Sequence, residues 1–191
     1  MRRLDSPGLV FHWPQKIVWT VFLILQGCSL FFSQAEIWIE VPFVSAGNPF
    51  CGHACASMLI RYWSQKGFPT GTPDLPPIKT ELPFDPGRGA SASDLVSFFQ
   101  ARGCQAFAFK GTRVELGHHL QKGRPLIVGL GKKKGANHFV VVTGIDQGGR
   151  YIAVNDPADR QMVKSAWEKF NREWSRTGNW TLLVLPPAAG H

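Results

Sequence analysis

The chain has 191 residues, of which 44% are hydrophobic and 18% are charged, and it contains 20 glycines and 14 prolines. This composition excludes coiled-coil, collagen-like and disordered chains, and the length suits one compact domain with short appendages. The net charge of +8 comes from scattered basic residues, with one tight run at 132–134. Because no basic stripe is interleaved with aromatic residues, we expect no nucleic-acid partner.

The N-terminus has the layout of an export signal. Three basic residues precede an uninterrupted apolar run over residues 17–25, which ends shortly before Cys28. At about 1.5 Å per residue the run covers roughly half of a bilayer core, so it is short for a membrane-spanning helix. Residues 25–28 (LQGC) resemble the lipobox of bacterial lipoproteins, and this resemblance implies that Cys28 is lipidated.

We therefore expect an exported, membrane-anchored lipoprotein of the bacterial cell envelope, with residues 1–28 as the signal and 29–40 as a tether. A plain export signal is the first alternative. If the apolar run extends to Phe32, a single uncleaved N-terminal membrane anchor is the second. A buried hydrophobic strand is the third. All the export interpretations place the domain outside the cytoplasm.

The four cysteines fall into two groups. If Cys28 carries lipid, three thiols remain, and an odd number in an oxidising compartment leaves at least one of them free. Cys55 and Cys104 could form a disulfide or could be two separate buried side chains, and the sequence leaves both alternatives open.

The domain proper is expected over residues 41–185, followed by a tail at 186–191. Apolar residues at helical spacing predict a helix from Cys51 to Gln65. Residues 67–90 contain six prolines and predict a long irregular loop, which is a candidate substrate-facing flap. Ser91 or Ser93 is expected to cap a helix over 94–102, and alternation predicts a strand over 104–109.

The second half of the chain reads mainly as strands. Thr112 and Glu115 form a capping-box pattern for a helix that ends at Gln121, and residues 165–168 repeat that pattern before a helix to about residue 174. Predicted strands cover residues 125–130, 137–145, 150–155 and 180–185. A helix-rich first half followed by an antiparallel sheet predicts an α+β fold with two lobes.

Three residues form a candidate catalytic set. Cys51 opens a helix, where the free N–H groups and the positive dipole end favour a thiolate. His138 begins a strand and is the candidate base, and the antiparallel return brings Asp156 toward its level. Of the neighbours Asn155 and Asp156 only one can face the imidazole, and we choose Asp156 because a carboxylate stabilises an imidazolium. Together the three residues suit nucleophilic acyl transfer.

The sequence around these residues extends the pattern. A VPFV segment at 41–44 precedes Cys51-Gly52, and LIV at 126–128, HFVVVTGI at 138–145 and NDP at 155–157 follow. Over residues 41–185 the chain resembles the papain-like cysteine peptidases of the bacteriocin-processing, double-glycine-leader type. The resemblance implies a two-lobed papain-like fold, with the nucleophile in an N-terminal helical lobe and His and Asp on a C-terminal antiparallel sheet. It also implies cleavage of a peptide or protein substrate through a thioester, without a cofactor.

The chain departs from that family at two positions. The family usually has a Gln shortly before the nucleophile that donates into the oxyanion hole, and the loss of one such donor costs about 100-fold or more in rate. Asn48, the Ser45 hydroxyl or the backbone N–H of Cys51 could replace it, and we favour Asn48. The second departure is His53, where the family commonly has Pro, and we expect a surface or hydrogen-bonded histidine on another helix face.

Three functions are compatible with these observations. An exported, membrane-tethered thiol peptidase is preferred. A non-catalytic peptide-binding member of the same fold, with a decayed oxyanion hole, is the main alternative, and another acyl transfer such as transglutamination or amide hydrolysis is the third. We expect no metal site, because the histidines and cysteines include no second ligand pair at a finger-like interval.

Overall fold

The computed structural model describes residues 36–47, 49–68, 74–131, 137–146 and 148–187. The helices within these ranges are α1 (Cys51–Gln65), α2 (Leu75–Glu81), α3 (Ala92–Gln100), α4 (Arg113–Gln121) and α5 (Trp167–Ser175). The strands are β1 (Ile37–Trp38), β2 (Gln105–Lys110), β3 (Leu126–Gly131), β4 (Asn137–Ile145), β5 (Tyr151–Asn155), β6 (Val163–Ala166) and β7 (Trp180–Leu185).

All of these strands belong to one antiparallel sheet. Its order is β2-β7-β3-β4-β5-β6, and β1 also pairs with β4. The central strands β3 and β4 carry continuous apolar runs that are buried, because α1 and α4 pack on β4 and α5 packs on β3. The expected α+β class with an antiparallel sheet is confirmed.

Helix α1 is the central helix of the core and begins at Cys51, as the sequence predicts. Its first ten residues are all buried, so packing against the sheet, more than surface amphipathicity, stabilises it. Phe50 precedes it without a side-chain cap, and its first turn has no acidic residue. The positive end of the helix dipole is therefore not neutralised locally, and Cys51 lies at that end.

Two of the three predicted helix caps are present. Ser91 with Asp94 and Thr112 with Glu115 each form a complete capping box, at the starts of α3 and α4. The third prediction was wrong, because Ala166 precedes α5 and no side chain caps that helix. Residues 163–166 instead form β6, since their backbone pairs with β5.

The predicted irregular loop over 67–90 contains a short helix, so that prediction was wrong in part. Pro76 and Pro77 lie in the first turn of α2, where a missing N–H costs nothing because the first N–H groups of a helix have no intrahelical acceptor. Beyond α2, Asp85 and Gly89 form an isolated antiparallel bridge.

Part of the predicted tether belongs to the sheet. Ile37 and Trp38 pair with Ile145 and Gly144, and the Ile39 N–H donates to the carbonyl of Thr143 at 2.7 Å. The folded unit thus begins before residue 41. Past the end of β3, the backbone groups along β4 need hydrogen-bond partners, and residues 37–39 supply them. Residues 1–35, which include the predicted signal and Cys28, lie outside the described residues.

Candidate active site

Cys51 is the first residue of α1, and its side chain is 4% exposed. Two backbone N–H groups, those of Gly52 and Phe139, donate toward its sulfur, and the His138 side chain is its third polar neighbour. Phe139 lies in the part of β4 that β5 does not pair with, since that pairing starts at Val141. The sulfur therefore lies between the start of a helix and the start of a strand.

His138 is the second residue of β4 and is 2% exposed. Its Nε2 donates to Oδ1 of Asp156 at 2.6 Å. The other ring nitrogen, Nδ1, is buried and has no nitrogen or oxygen partner among the described residues. Because Asp156 occupies Nε2, Nδ1 is the nitrogen that can exchange a proton with the Cys51 thiol.

Asp156 is the first residue after β5, and a tight turn fixes its carboxylate. Oδ1 also accepts from the Ala158 N–H at 2.9 Å, and the Asp156 N–H donates to the carbonyl of Arg160. The side chain of Asp156 is 21% exposed. It is positioned to hold the imidazole in one orientation.

Asn155 points to the opposite side of the strand from Asp156. It is fully buried, its Nδ2 donates to the carbonyl of Val41 at 3.0 Å, and its Oδ1 accepts from the Met162 N–H at 2.9 Å. Neighbouring side chains of an extended strand face opposite sides. The structure accordingly brings Asp156, and not Asn155, to His138.

The pKa values of Cys51 and His138 move in opposite directions. Burial by itself would raise the pKa of the thiol, but the His138 side chain and the Phe139 and Gly52 N–H groups outweigh it and lower that pKa from 9.0. Burial would lower the pKa of His138, yet the hydrogen bonds to Asp156 and Cys51 raise it to about 9. Both shifts act in favour of a thiolate beside an imidazolium over the neutral pair.

The other described cysteines are free thiols. Neither Cys55 nor Cys104 forms a disulfide, and both are buried, which decides between the two alternatives left open by the sequence. Burial, with the nearby charges of Cys51 and Asp156, raises the pKa of Cys55 well above 9.0. Burial likewise raises the pKa of Cys104. Cys51 is thus the one described cysteine whose pKa is lowered.

The three candidate oxyanion donors have different surroundings. Asn48 lies outside the described residues. The Ser45 hydroxyl donates to the carbonyl of Pro157 at 3.4 Å, so its proton is directed away from a bound carbonyl. The first helical hydrogen bond of α1 is donated by Ala54 to Phe50, and the Cys51 N–H therefore has no helical acceptor. That N–H remains the candidate with direct structural support.

His53 is fully buried and its Nε2 donates to the carbonyl of Leu82 at 2.9 Å. It faces Phe50 and Phe84 on another side of α1 from the sulfur, as expected from its position in the helix. The Phe139 and Gly52 N–H groups are the site components that sequence reasoning missed. They are backbone groups, so no side-chain pattern could have indicated them.

The fold is that of a papain-like peptidase domain, and Cys51, His138 and Asp156 lie together in it. Residues 31–182 match the family described as the Peptidase_C39 like family, and the chain belongs to that family. The family and the fold implied by the sequence resemblance are thus confirmed. Among curated proteins, no match was found.

Three solved structures illustrate the likeness. One is a double glycine motif protease from an AMS/PCAT transporter in complex with the leader peptide, at 23% identity, TM-score 0.60, and coverage of 80% of this chain and 99% of that chain. The peptidase domain of Streptococcus ComA, a bi-functional ABC transporter, matches at 18% identity, TM-score 0.64, and coverage of 78% and 100%. A Bacillus anthracis chain described as a C39-like peptidase matches at 17% identity, TM-score 0.62, and coverage of 81% and 100%. At these identities the likeness establishes the fold.

Proposed function

We propose that this protein is a cysteine peptidase in which Cys51 is the nucleophile, His138 the acid and base, and Asp156 the residue that orients His138. Membership of a peptidase family supports a peptidase-related function. The observation that carries the finer assignment is that one buried imidazole contacts both a thiol of lowered pKa and a carboxylate. This arrangement holds the nucleophile in its reactive form before substrate arrives.

The reaction follows from the two ring nitrogens of His138. The Cys51 thiolate attacks the peptide carbonyl carbon, the C–N bond breaks, and His138 gives its Nδ1 proton to the leaving amine, which leaves a thioester on Cys51. Water then attacks the thioester carbon, His138 takes a proton from that water, and the Cys51 sulfur leaves as a thiolate. Throughout both steps Asp156 accepts from Nε2 and keeps Nδ1 directed at the reacting atoms.

The oxyanion that forms at the carbonyl oxygen needs donors. The Cys51 N–H, which has no helical acceptor, supplies one in this proposal, and Asn48 remains a proposed second donor. The absence of the usual Gln favours one alternative, a peptide-binding protein of the same fold without turnover, because a lost donor costs about 100-fold or more.

The proposed substrate is a peptide or an extended protein segment, and no cofactor takes part. One solved structure of this fold holds a leader peptide, and this complex supports peptide binding here. We further propose export and attachment to the membrane through lipid on Cys28, on the basis of the LQGC segment. Among the described residues, no helix has the length and apolar content to cross a membrane.

Alkylation with iodoacetamide, combined with peptide hydrolysis, tests the proposal. We expect selective modification of Cys51 at neutral pH in the wild type, with Cys55 and Cys104 as slow internal controls because their pKa values are raised. His138→Ala should slow both alkylation and hydrolysis. Cys51→Ser should abolish hydrolysis and change the free energy of unfolding by no more than about 1 kcal/mol, because the two side chains are nearly isosteric.

Two results would decide against the proposal as stated. Full hydrolysis by Cys51→Ser would remove the assignment of the nucleophile. A sluggish Cys51 thiol that is indifferent to His138→Ala, in a protein that still binds peptide, would favour the binding protein without turnover.

A further inference from the structure

The short segment after α2 packs directly against the start of α1. A Cβ at Gly89 would lie 2.6 Å from the carbonyl oxygen of Pro49, and a Cβ at Gly52 would lie 3.1 Å from the Cβ of Ala90. Both glycines therefore permit a contact that a larger residue would prevent. Pro49 and Gly52 flank the nucleophile. The segment Leu82–Ala90 therefore lies on one side of Cys51, and β4 with His138 lies on another.

The fold of this segment creates a buried carbonyl that needs a donor. Leu82 ends α2 in an extended conformation, with φ −93° and ψ 112°, as expected for a residue before proline. Its carbonyl cannot receive a helical hydrogen bond from position 86, because Pro86 has no N–H. Leu82 is fully buried, so an unsatisfied carbonyl there would be costly.

His53 supplies that donor. Its Nε2 donates to the Leu82 carbonyl at 2.9 Å, and its ring lies edge-on to Phe50 and to Phe84, with centroid distances of 5.3 and 5.7 Å. Burial and the charge of Lys79 lower the pKa of His53, so the ring is neutral at neutral pH. Among the described residues, no ion pair accounts for the burial of His53.

Two contacts with the Phe50 ring accompany this hydrogen bond. Phe84 packs on Phe50 with a centroid distance of 4.9 Å, and the Lys79 Nζ lies 4.0 Å from the centroid of the Phe50 ring. Phe50 immediately precedes Cys51. All three contacts thus join α2 and the segment after it to the residues around the nucleophile.

We propose that His53 is a positioning residue that holds the segment Leu82–Ala90 against the start of α1, and that this segment is the wall of the peptide cleft beside Cys51. The proposal rests on the proposed peptidase function and adds to it the part of the chain that positions the substrate. His53 does not touch the reacting atoms. It acts through the Leu82 carbonyl.

The test compares His53→Leu, which keeps the bulk and removes the donor, with His53→Gln, which can still donate to the Leu82 carbonyl. Hydrogen exchange of the amides of residues 82–90 should speed up about tenfold in His53→Leu, as expected for the loss of one hydrogen bond. The KM for a peptide should rise severalfold, with kcat and the alkylation rate of Cys51 within about twofold of wild type. His53→Gln should restore exchange and KM.

His119→Leu serves as the matched control, since His119 on α4 also has a buried, unpartnered Nδ1. It should change neither KM nor the exchange of residues 82–90. If His53→Leu does not fold, Phe84→Ala removes the contact of the same segment with Phe50 and should also raise KM with little change in kcat.

The proposal is overturned if His53→Leu lowers kcat and alkylation at unchanged KM, or if its faster exchange is spread evenly over the whole protein. Failure of His53→Gln to restore either property also overturns it. A wild type without turnover contradicts the proposed function alone. The wall is then judged by exchange and by the Kd of the bound peptide, which His53→Leu should raise and His53→Gln should restore.

Discussion

Asn155 and Asp156 are adjacent in the chain and have opposite surroundings. Asp156 contacts the imidazole of His138, whereas Asn155 joins the Val41 carbonyl to the Met162 N–H inside the protein. One residue therefore bears on the chemistry of the site, and the other connects β5 to the segment that leads to the nucleophile. Mutation should separate these two roles.

We expect Asp156→Ala to lower kcat by roughly 10-fold to 10,000-fold, the range open to an orienting carboxylate. Asn155→Ala should leave the kcat of the folded protein nearly unchanged and reduce the free energy of unfolding by about 1–3 kcal/mol, because it removes two hydrogen bonds of a fully buried side chain. Steady-state kinetics and urea unfolding measure the two effects. A larger loss of kcat in Asn155→Ala would mean that the triad is Cys, His and Asn.

The Cys51 and His138 pair has a defined pH window. The raised pKa of His138, about 9 against 6.5, means that its contribution to stability is complete below about 6.5 and is lost as pH rises through about 9. The lowered pKa of Cys51 means that its contribution is present above the ordinary thiol pKa and is lost as pH falls through the lowered value. The ion pair is therefore present between the lowered pKa of Cys51 and the raised pKa of His138, which is about 9.

Hydrolysis and alkylation should consequently differ in alkali. We expect kcat to fall as pH rises through about 9, where His138 loses the proton that the leaving amine needs. Alkylation of Cys51 should not fall there, since the thiolate persists. Rates measured across the pH range check this, and an alkylation profile with the pKa of an ordinary, unperturbed thiol would contradict the ion pair.

At the scale of elements, β1 is attached to β4 by close packing as much as by hydrogen bonds. The Trp38 ring lies directly over Gly144, so that any side chain at position 144 would collide with it and would also approach the carbonyl of Ile37 at 2.8 Å. Gly144 follows an irregularity in the pairing of β4 with β5. Glycine is required here by close approach, which is a common reason for glycine inside a strand.

Gly144→Ala should displace β1 and reduce the free energy of unfolding by about 1–3 kcal/mol, the usual cost of overpacking. Gly117→Ala is the matched control. Gly117 lies in α4, and a Cβ there would meet only Ile145, at 4.0 Å. It should be neutral or stabilising by about 0.5–1 kcal/mol, since alanine favours a helix. Thermal unfolding measures both, and equal stability of the two variants would contradict the packing of β1.

At the scale of the whole molecule, the proposed lipid anchor would hold the domain at a membrane. If the proposed lipid anchor on Cys28 is correct, the expressed protein should enter the detergent phase in a phase-partition experiment, and Cys28→Ala should not. Peptide hydrolysis by the two forms should be equal, because the described site lies wholly within residues 36–187. A Cys28→Ala protein that still partitions with the leader attached would favour the uncleaved membrane anchor.

Much of the fold could be predicted because its signals are local. The helical spacing after Cys51, the capping residues Ser91 and Thr112, and the alternation of β4 and β5 each depend on neighbours in the chain. The elements that were missed, β1, α2 and β6, are short. The backbone of β1 and β6 is ordered by pairing with distant strands, and nothing in a segment of two to four residues indicates such a partner.

The candidate site divides in the same way. The sequence by itself determined the chemical types and their order, with a cysteine at a helix start, a histidine at a strand start and a carboxylate after the next strand. Only the tertiary structure decided that Asp156, and not Asn155, faces His138, that Cys55 and Cys104 stay unpaired, and that His53 bonds to Leu82. The reason is that these outcomes depend on which side of a strand each residue faces and on contacts between segments far apart in the chain. Both are set only when α1 packs on the assembled sheet.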